Sequence, residues 1–360
     1  MLFGKKQSQI KKVLVDLSIL RHLNCGLGQI AYNYAKYFGE HADDYEFEIH
    51  LLLPKSFVGH FGNKVYYHVS YKIYKIFPWL LKGFDVWHSI HQLSSYVPSD
   101  ASVKNLLTVH DLNFIYEKKG RKLQRAASKL NFRIKRADKV VAISNFAKSD
   151  LLKFFPELKK VEVVYNGVEF SRPDDLGNMP AAPFDGTKKF LFTIGQVVRK
   201  KNFHVLLDAM KLMPEYNLYI AGNNSTPYGN MIRERINSEQ ITNVILLGEI
   251  TNEERTWMYS NCEAFVFPSM FEGFGLPVIE ALSHKRPVVS SQMTSLAEIG
   301  SNHVFFLDSF EPQHIADRIR TAVREYEEHP ELADANSEYA RTFSYDKHMK
   351  RYLEIYRSLL

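Results

Sequence analysis

Short runs of apolar residues alternate with longer amphipathic stretches along the whole chain. Most of the short runs are continuously apolar, which is typical of strands buried on both faces of a parallel sheet. The amphipathic stretches between them predict the helical crossovers that parallel strands require. The predicted strands are Lys12–Ser18, Phe47–Leu53, Val86–Ile90, Asn105–Val109, Lys139–Ile143, Val161–Tyr165, Phe190–Ile194, Leu218–Ala221, Val244–Leu247, Ala264–Phe267, Pro287–Ser290 and Val304–Leu307.

The clearest break in this pattern is the segment FSRPDDLGNMPAAPFDGTK, which is rich in Pro, Gly, Asp and Asn and has no apolar periodicity. It predicts an α/β protein of two doubly wound parallel-sheet domains, residues 1–170 and 189–343, joined by a linker at 171–188. A helix at 344–360 is expected to pack back toward the N-terminal domain. In such sheets ligands bind beyond the carboxyl ends of the strands, so the loops there are the candidate sites.

Composition agrees with a globular protein and narrows its setting. The chain has 360 residues, of which 45% are hydrophobic and 24% charged, and these values exclude a disordered, collagen-like or coiled-coil protein. Its two cysteines, Cys25 and Cys262, form neither a disulfide framework nor a metal-binding spacing. No apolar run approaches the ~20 residues of a membrane-spanning helix, and no signal peptide is recognisable. We therefore expect a cytoplasmic protein.

A glycine-containing loop follows the first predicted strand and opens a helix. It reads NCGLGQIA, so Gly26 and Gly28 would let backbone amides approach a phosphate at the positive end of that helix. The spacing also fits a dinucleotide fingerprint, which needs an acidic residue at the end of the second strand. Here Glu46 and Glu48 lie at the start of that strand. A phosphate loop is favoured, with NAD binding or a plain tight turn as alternatives.

Two further strand ends carry candidate polar groups. His110 follows the strand Asn105–Val109 and could contact a sugar hydroxyl or a phosphate, or merely cap the next turn. Arg199, Lys200 and Lys201 follow the first strand of the second half, just before a predicted helix. A helix N-terminus favours anions, so three cations there indicate a diphosphate site rather than ordinary solvated lysines.

The segment FPSMFEGFGLPVIEAL places two carboxylates around one helix start. Pro277 suits the first helical turn, and Gly273 and Gly275 free backbone amides to face a ligand. Glu272 in the loop and Glu280 in the helix could both accept hydrogen bonds from vicinal hydroxyls. A capping acid with an exposed helix acid is one alternative. A glycosidase pair is another, although hydrolysis does not call for phosphate loops in both halves.

The residues EGFGLPVIE match the E-x7-E motif, and the chain resembles the retaining GT-B glycosyltransferases of family 4. The resemblance covers nearly the whole chain, because the other candidate loops fall in the family's order. It implies a GT-B fold, with two Rossmann-like domains facing a central cleft. It also implies transfer of a hexose, with retention, from a nucleotide-diphosphate sugar of the GDP-mannose or UDP-hexose type. The expected acceptor is a glycan or a lipid-linked glycan in cell-surface polysaccharide or lipopolysaccharide biosynthesis.

The resemblance implies a role for each candidate residue. The donor sugar would meet His110 near its reacting carbon and Glu272 at its hydroxyls, while the nucleotide base would lie against backbone near Ile250. The remaining donor contacts would come from Gly26, Gly28 and Lys201 at the diphosphate, Glu280 at the ribose, and the amides of Gly273, Phe274, Gly275 and Leu276 at the sugar and phosphate. No Asp-x-Asp site occurs in a suitable loop, so we expect no metal and no other cofactor.

Three positions depart from the family pattern. Cys25 replaces the first glycine of the loop, and Lys285 replaces a glycine after the E-x7-E helix. Gln196 stands where many members have an arginine for the diphosphate, so Arg199 or Lys200 would have to supply that charge.

The net charge of +6 is concentrated in one segment. Lys118–Lys139 has ten basic residues and one acid, and the rest of the chain has 36 basic against 39 acidic residues. Nearby, Tyr66–Phe84 interleaves aromatic residues with lysines. Together they predict peripheral contact with an anionic membrane that carries the acceptor. The alternatives are a nucleic-acid-binding protein that uses the basic helix, and a sugar-nucleotide hydrolase or epimerase of the same fold. We expect no nucleic-acid partner.

Overall fold

A computed structural model describes residues 10–23, 26–170, 177–180, 184 and 188–360. Cys25 and most of the predicted linker lie outside these residues. The chain divides into two compact units. The first comprises residues up to Ile143, Ala147–Val164 and Met349–Leu360, and the second comprises Ser144–Phe146 and Tyr165–His348.

Each unit is built on one parallel sheet. The strands of the first sheet are β1 (Lys11–Asp16), β2 (Phe47–Leu53), β3 (Tyr66–Val69), β4 (Val86–Ser89), β5 (Lys104–Val109), β6 (Lys139–Ala142) and β7 (Glu162–Val163). Those of the second are β8 (Phe190–Ile194), β9 (Asn217–Ala221), β10 (Val244–Gly248), β11 (Ala264–Phe267), β12 (Val288–Ser291) and β13 (Phe305–Leu307).

Helices connect most of the successive strands in both units, whereas a loop joins β4 to β5, and 3-10 turns join β2 to β3 and β3 to β4. In chain order they are α1 (Gly26–His41), α2 (Asn113–Glu117), α3 (Gly120–Arg136), α4 (Asn145–Phe154), α5 (His204–Lys211), α6 (Pro227–Ser238), α7 (Asn252–Asn261), α8 (Leu276–Ser283), α9 (Ser295–Gly300), α10 (Pro312–Glu328), α11 (Glu331–Arg341) and α12 (Tyr345–Leu359). Among the described residues, no helix combines the length and the apolarity that crossing a membrane would need.

Strand order confirms two doubly wound sheets. The first sheet runs β3-β2-β1-β4-β5-β6-β7 and the second runs β10-β9-β8-β11-β12-β13. The strands pair in parallel in both sheets, as at β1 with β4 and at β8 with β11. The direction in which each sheet grows reverses between β1 and β4, and again between β8 and β11. Such switch points open a crevice at the carboxyl ends of the strands.

The cores explain why the apolar runs are continuous. All residues of β9 and of β11 are buried, as expected for strands covered on both faces. In the second unit, α5 and α10 contribute buried apolar residues to one core cluster with these strands. One strand, β3, was not predicted. It lies at the sheet edge with half-exposed side chains, so its short aromatic run has no buried apolar pattern.

The C-terminal helix is tied to the first unit by buried polar groups. The Tyr356 hydroxyl lies 2.7 Å from Nδ1 of His88, and Nε2 of that histidine lies 2.9 Å from the Thr108 hydroxyl. The Tyr352 hydroxyl lies 2.8 Å from the same threonine. Because buried polar groups are costly when left unpaired, this network specifies where the end of α12 packs.

Candidate active site

The switch point of the second unit brings two predicted groups together, Lys201 and Glu272. Lys201 ends the 3-10 turn Arg199–Lys201 after β8, and Glu272 lies in the loop between β11 and α8. The Lys201 Nζ donates to Glu272 Oε1 at 2.5 Å, and the two side chains are only 12% and 15% exposed. Little water reaches this pair, so removing one partner would leave the other charge poorly solvated and is costly.

Ser269, which the sequence did not single out, fixes this pair. Its hydroxyl is fully buried and donates to the same Oε1 of Glu272 at 2.6 Å. The backbone N–H of the next residue, Met270, donates to the Lys200 carbonyl at 2.8 Å. The loop that follows β8 is therefore joined to the loop that follows β11, with Lys201 and Glu272 held at the junction.

Gly275 shapes the start of α8. It has a φ of 115°, and a Cβ there would come within 2.6 Å of the Leu296 side chain. Only glycine meets both demands without strain. Leu276 then begins the helix, and its N–H lies at the positive end, since Pro277 has no N–H and the Val278 N–H donates to the Gly275 carbonyl at 3.0 Å. Phe274 is buried beneath this turn. The positive end of α8 thus belongs to the same loop as Glu272.

Glu280 lies farther along α8 and has two partners of its own. The Tyr259 hydroxyl donates to Glu280 Oε2 at 2.8 Å, and Arg255 Nη1 lies 3.9 Å from Oε1. The nearby carboxylate raises the pKa of Arg255, and burial raises the pKa of Tyr259 well above its usual value. Glu280 is therefore held as an oriented acceptor on the same helix end.

Arg199 and Ile250, two further residues predicted to contact the sugar-nucleotide donor, are not part of the Lys201–Glu272 pair. Arg199 is exposed, and its guanidinium carbon lies 5.9 Å from the ring centroid of Tyr228. Of the three cations in the turn, Lys201 is the one that pairs with Glu272. Ile250 is half-buried between β10 and α7. A capping box, in which Thr251 and Glu254 bond each other's backbone N–H groups, fixes the start of α7.

In the first unit, His110 is held by the Ile90 carbonyl and by the side chain of Gln92. Its Nε2 donates to the Ile90 carbonyl at 2.7 Å, and its backbone N–H donates to Gln92 Oε1 at 3.2 Å. The Gln92 amide in turn donates to the Asp111 carbonyl at 2.8 Å. Burial lowers the pKa of His110 to about 4. The ring is therefore neutral at physiological pH, and because Nε2 carries the proton, Nδ1 is an acceptor.

The glycine loop has a structural role that the sequence did not reveal. The helix α1 begins at Gly26, and a Cβ at Gly28 would lie 2.1 Å from the His22 carbonyl oxygen. Packing of α1 on the preceding turn therefore requires a glycine at 28, whatever binds there. At Gly26 a Cβ would meet nothing within 4 Å. Phosphate binding at both glycines stays a prediction.

The basic segment is less uniformly cationic than its composition suggests. Arg133 of α3 is buried and donates to the Tyr96 carbonyl and the Ser89 hydroxyl. Lys129 donates to the Leu93 carbonyl at 2.6 Å. Arg136 donates to the Pro98 carbonyl, and Lys139 pairs with Glu162. Lys129, Arg133 and Lys139 are thus withdrawn from the surface to different extents, whereas Arg136 keeps an exposed side chain as well as its partner. The exposed cations in the segment are Lys118, Lys119, Arg121, Lys122, Arg125, Lys135 and Arg136.

The segment that follows β3 exposes a group of large apolar side chains, which we call the apolar ridge. It comprises two 3-10 turns, Lys72–Lys75 and Pro78–Leu80, and the residues around them. Ile76 is 67% exposed and Trp79 is 56% exposed. The exposed apolar residues of the ridge are Tyr71, Ile73, Ile76, Phe77, Trp79 and Leu80. A group of exposed apolar side chains of this kind is a candidate interaction surface.

Within the described residues, no group of three or more His, Cys, Asp or Glu side chains could hold a metal ion. The described cysteine, Cys262, is buried, and burial raises the pKa of its thiol to about 12. It is therefore an inert core residue.

Comparisons with known proteins agree with this site. Residues 35–172 match the profile of Glycosyltransferase Family 4, and residues 177–343 match that of Glycosyl transferases group 1. An uncharacterized glycosyltransferase of Methanocaldococcus jannaschii is 23% identical over 289 residues, which are 77% of this chain and 76% of that protein. The O-antigen chain mannosyltransferase RfbU of Salmonella typhimurium is 24% identical over 247 residues, 67% of this chain and 65% of that protein.

A solved structure shows the same fold. HepE of Anabaena, crystallised with UDP-glucose, superposes with a TM-score of 0.74 at 15% identity, covering 97% of this chain and 100% of that one. Together with the two profiles, this likeness confirms the resemblance seen in the E-x7-E segment. The chain is a glycosyltransferase of family 4, with a GT-B fold.

Proposed function

We propose that this glycosyltransferase moves a hexose, with retention, from a nucleotide-diphosphate sugar to a glycan or lipid-linked acceptor. The observation that carries the proposal is the Lys201–Glu272 pair, which lies at the switch point beside the first turn of α8. Lys201 supplies a cation for a diphosphate, and Glu272 supplies an acceptor for sugar hydroxyls. The two side chains are hydrogen-bonded to each other. Ordinary packing offers no reason to place both charges where little water reaches them.

Donor binding would exchange the partners of this pair. Lys201 turns from the carboxylate to the diphosphate, and Glu272 accepts hydrogen bonds from the sugar hydroxyls. Ser269 keeps Glu272 oriented during the exchange, because its hydroxyl donates to the carboxylate independently of Lys201. Glu280, held by Tyr259, takes the ribose hydroxyls. Each charged group thus has a partner before and after binding, which limits the free-energy cost of removing water from the site.

The chemical step breaks the bond between the anomeric carbon and the diphosphate oxygen. The acceptor oxygen forms a new bond to that carbon on the same face, and its proton passes to the departing phosphate oxygen. Charge develops on the diphosphate as the sugar becomes oxocarbenium-like. Lys201, once turned to the diphosphate, and the positive end of α8 would stabilise that charge, and donors in place before the chemical step supply large rate enhancements. We expect no metal requirement, so excess EDTA should leave turnover unchanged.

In the first unit, His110 serves as a neutral polar contact for the donor sugar. Its Nε2 proton is engaged by the Ile90 carbonyl, so Nδ1 can accept a hydrogen bond from a sugar hydroxyl. A charged imidazolium would lose this acceptor, and the low pKa of about 4 prevents that above pH 5. His110 would then orient the sugar and would not act as a proton donor.

The donor and acceptor classes are supported by the relatives. RfbU is an O-antigen chain mannosyltransferase, and HepE was crystallised with UDP-glucose. GDP-mannose and a UDP-hexose are therefore the first donors to test, in cell-surface polysaccharide or lipopolysaccharide synthesis.

A thermal-shift screen with UDP-, GDP- and ADP-sugars would identify the donor, because a ligand that binds only the folded protein raises its melting temperature. The anomeric configuration of the product, read by NMR, then tests retention. Release of free sugar without any acceptor dependence would contradict transfer and indicate a hydrolase. Failure of every sugar nucleotide to stabilise the protein would contradict the proposal.

We further propose that the apolar ridge rests on an anionic membrane where a lipid-linked acceptor is held. Lys72, Lys75 and Lys82 flank the apolar side chains, and this mixture suits the boundary between headgroups and acyl chains. Vesicle flotation tests the idea with Ile76→Ser and Trp79→Ser. Val58→Ser is the matched control, since Val58 is similarly exposed but lies outside the ridge. Equal flotation of all variants, or equal binding to neutral vesicles, would contradict it.

A further inference from the structure

Two consecutive residues, Thr294 and Ser295, form hydrogen bonds with the backbone N–H and the backbone carbonyl of Glu272. The Glu272 N–H donates to Thr294 Oγ1 at 3.0 Å, and the Ser295 hydroxyl donates to the Glu272 carbonyl at 2.9 Å. The same hydroxyl lies 2.8 Å from the Phe274 carbonyl, and Ser295 is fully buried. Thr294 ends the turn after β12 and Ser295 is the first residue of α9, so both come from a part of the chain separate from the E-x7-E loop.

Thr294 adopts a backbone conformation that is unfavourable for a β-branched residue. Its φ is 56° and its ψ is −129°, the mirror image of an ordinary extended residue. Glycine adopts this region readily, whereas a β-branched residue there is a genuine outlier. Such strain persists only where the surrounding structure enforces it, and it concentrates at functional sites.

The reversed backbone explains how both hydroxyls reach one residue. In extended backbone, successive side chains point to opposite faces, so neighbouring hydroxyls could not both meet Glu272. The positive φ at Thr294 turns the chain so that its side chain meets the N–H of Glu272 while Ser295 meets the carbonyl. A glycine at 294 would remove the strain, but it would also remove the acceptor for that N–H.

We infer that Thr294 is a positioning residue for the donor sugar. Its hydroxyl fixes the backbone of Glu272, so that the carboxylate meets the sugar hydroxyls. The strained conformation of Thr294 is what allows this contact. The inference rests on the proposed function, since it assumes that Glu272 binds the sugar of a nucleotide donor. The affinity for a nucleoside diphosphate without a sugar should not depend on Thr294.

The chain offers a matched control in Ser301. At the other end of α9 this residue has a φ of 46° and a ψ of −129°, nearly the same strained conformation, but it is exposed. Ser301→Gly therefore relieves the same kind of strain without touching the loop of Glu272. Thr294→Ser keeps the hydroxyl, Thr294→Val keeps the shape without the hydroxyl, and Thr294→Gly removes both hydroxyl and strain.

Calorimetric titration with UDP, UDP-glucose, GDP and GDP-mannose tests the inference, using the pair that the wild type binds. Thr294→Gly and Thr294→Val should weaken the sugar nucleotide by about tenfold, as expected for one lost hydrogen bond at a preorganised group. The free nucleoside diphosphate should bind as to the wild type. Thr294→Ser and Ser301→Gly should bind both ligands normally. Melting temperatures report folding, and Thr294→Gly should fold even if Thr294→Val does not.

The outcomes separate this inference from the proposed function. Wild-type affinity of Thr294→Gly for the sugar nucleotide would overturn the inference and leave the proposed function intact. Equal weakening of both ligands would also overturn it, because a general loss of structure would then be the cause. If the wild type bound none of the sugar nucleotides, the proposed function would fail, and the inference would fail with it.

Discussion

The two units treat their candidate polar groups in opposite ways. In the second unit, Lys201 and Glu272 carry full charges and neutralise each other at 2.5 Å. In the first unit, His110 is neutral, and its partners are the backbone carbonyl of Ile90 and the uncharged side chain of Gln92. One site is a charged pair that can exchange partners, and the other is a fixed neutral contact.

This difference matches the charge of the part of the donor that each unit would contact. A diphosphate brings negative charge into the second unit, and a cation released from a carboxylate can compensate it. A sugar brings only hydroxyls to His110, and a buried ion there would have to be desolvated with nothing to pair it. The predictions below test this contrast, from the largest expected effect to the smallest.

Removing the charge of Lys201 should have the largest effect. Lys201→Met should cost about 2–4 kcal/mol of transition-state stabilisation, by comparison with loss of one oxyanion donor. That cost corresponds to a drop in kcat of roughly 30- to 900-fold. Lys211→Met is the control, because Lys211 lies on α5 and is exposed. Near-normal turnover of a folded Lys201→Met enzyme would remove Lys201 from the mechanism.

Gln92 should affect turnover, because its side chain bonds His110, the fixed neutral contact in the first unit. Gln92→Met removes the acceptor for the His110 N–H and the donor to the Asp111 carbonyl, and the side chain is buried. We expect kcat to fall about tenfold, the effect of losing a hydrogen bond that orients a reacting group.

Gln92→Glu is the informative comparison, because its carboxylate keeps the acceptor for His110. It loses the donor to the Asp111 carbonyl, so it should be less active than the wild type, and its negative charge should raise the pKa of His110. A new acidic limb in the pH–rate profile would report that change. Identical kinetics for the two variants would show that Gln92 acts through packing alone.

Tyr259 should affect the nucleotide part of the donor. Tyr259→Phe removes the hydroxyl that donates to Glu280 Oε2 and leaves the buried ring in place. The affinities for the nucleoside diphosphate and for the sugar nucleotide should fall together, by about five- to tenfold. Titration calorimetry checks this result. Weakening of the sugar nucleotide alone would contradict the assignment of Glu280 to the ribose.

The last prediction concerns folding and not turnover, namely the acid dependence of stability. Burial lowers the pKa of His110 and of His68 to about 4, and that of His91 to about 3. Unfolded histidines titrate near 6.5, so between pH 6.5 and 4 the unfolded chain binds more protons than the folded one. Stability is full above pH 6.5 and is lost as the pH falls toward 4, by up to about 1.4 kcal/mol per pH unit and histidine.

Melting temperatures measured between pH 7 and pH 4 check this dependence. His68→Phe should flatten the fall without changing donor affinity, because His68 lies on the edge strand β3 of the first unit. A melting temperature that stays constant down to pH 4 would show that these histidines are not buried in the neutral form.

Much of the fold could be predicted because it depends on local patterns. Continuous apolar runs identified every strand except β3, whose edge position leaves its side chains half-exposed. Glu272 and Glu280 could be found because one loop and one helix start carry both of them. The supporting residues could not be found in this way. Thr294 lies 22 positions from Glu272, and its contact depends on a positive φ that the sequence does not signal.

The basic helix shows the limit of counting charges. Arg133 bonds a hydroxyl 44 positions away, and Lys129 bonds a carbonyl 36 positions away. Both contacts depend on how α3 packs on the strands, so composition alone placed these cations on the surface. Gly28 shows the same limit, because the close approach of the His22 carbonyl explains the glycine without any ligand.

The exchange of partners between Lys201 and Glu272 is the central claim, and one substitution tests it most directly. In Glu272→Gln, Lys201 no longer has to leave a carboxylate, and a negative charge beside the diphosphate is gone. The nucleoside diphosphate should therefore bind more tightly than to the wild type, whereas the sugar nucleotide should bind more weakly. Calorimetric titration of wild type and variant with both ligands measures the two changes. Opposite shifts are the predicted result, and a weakening of both affinities would contradict the account.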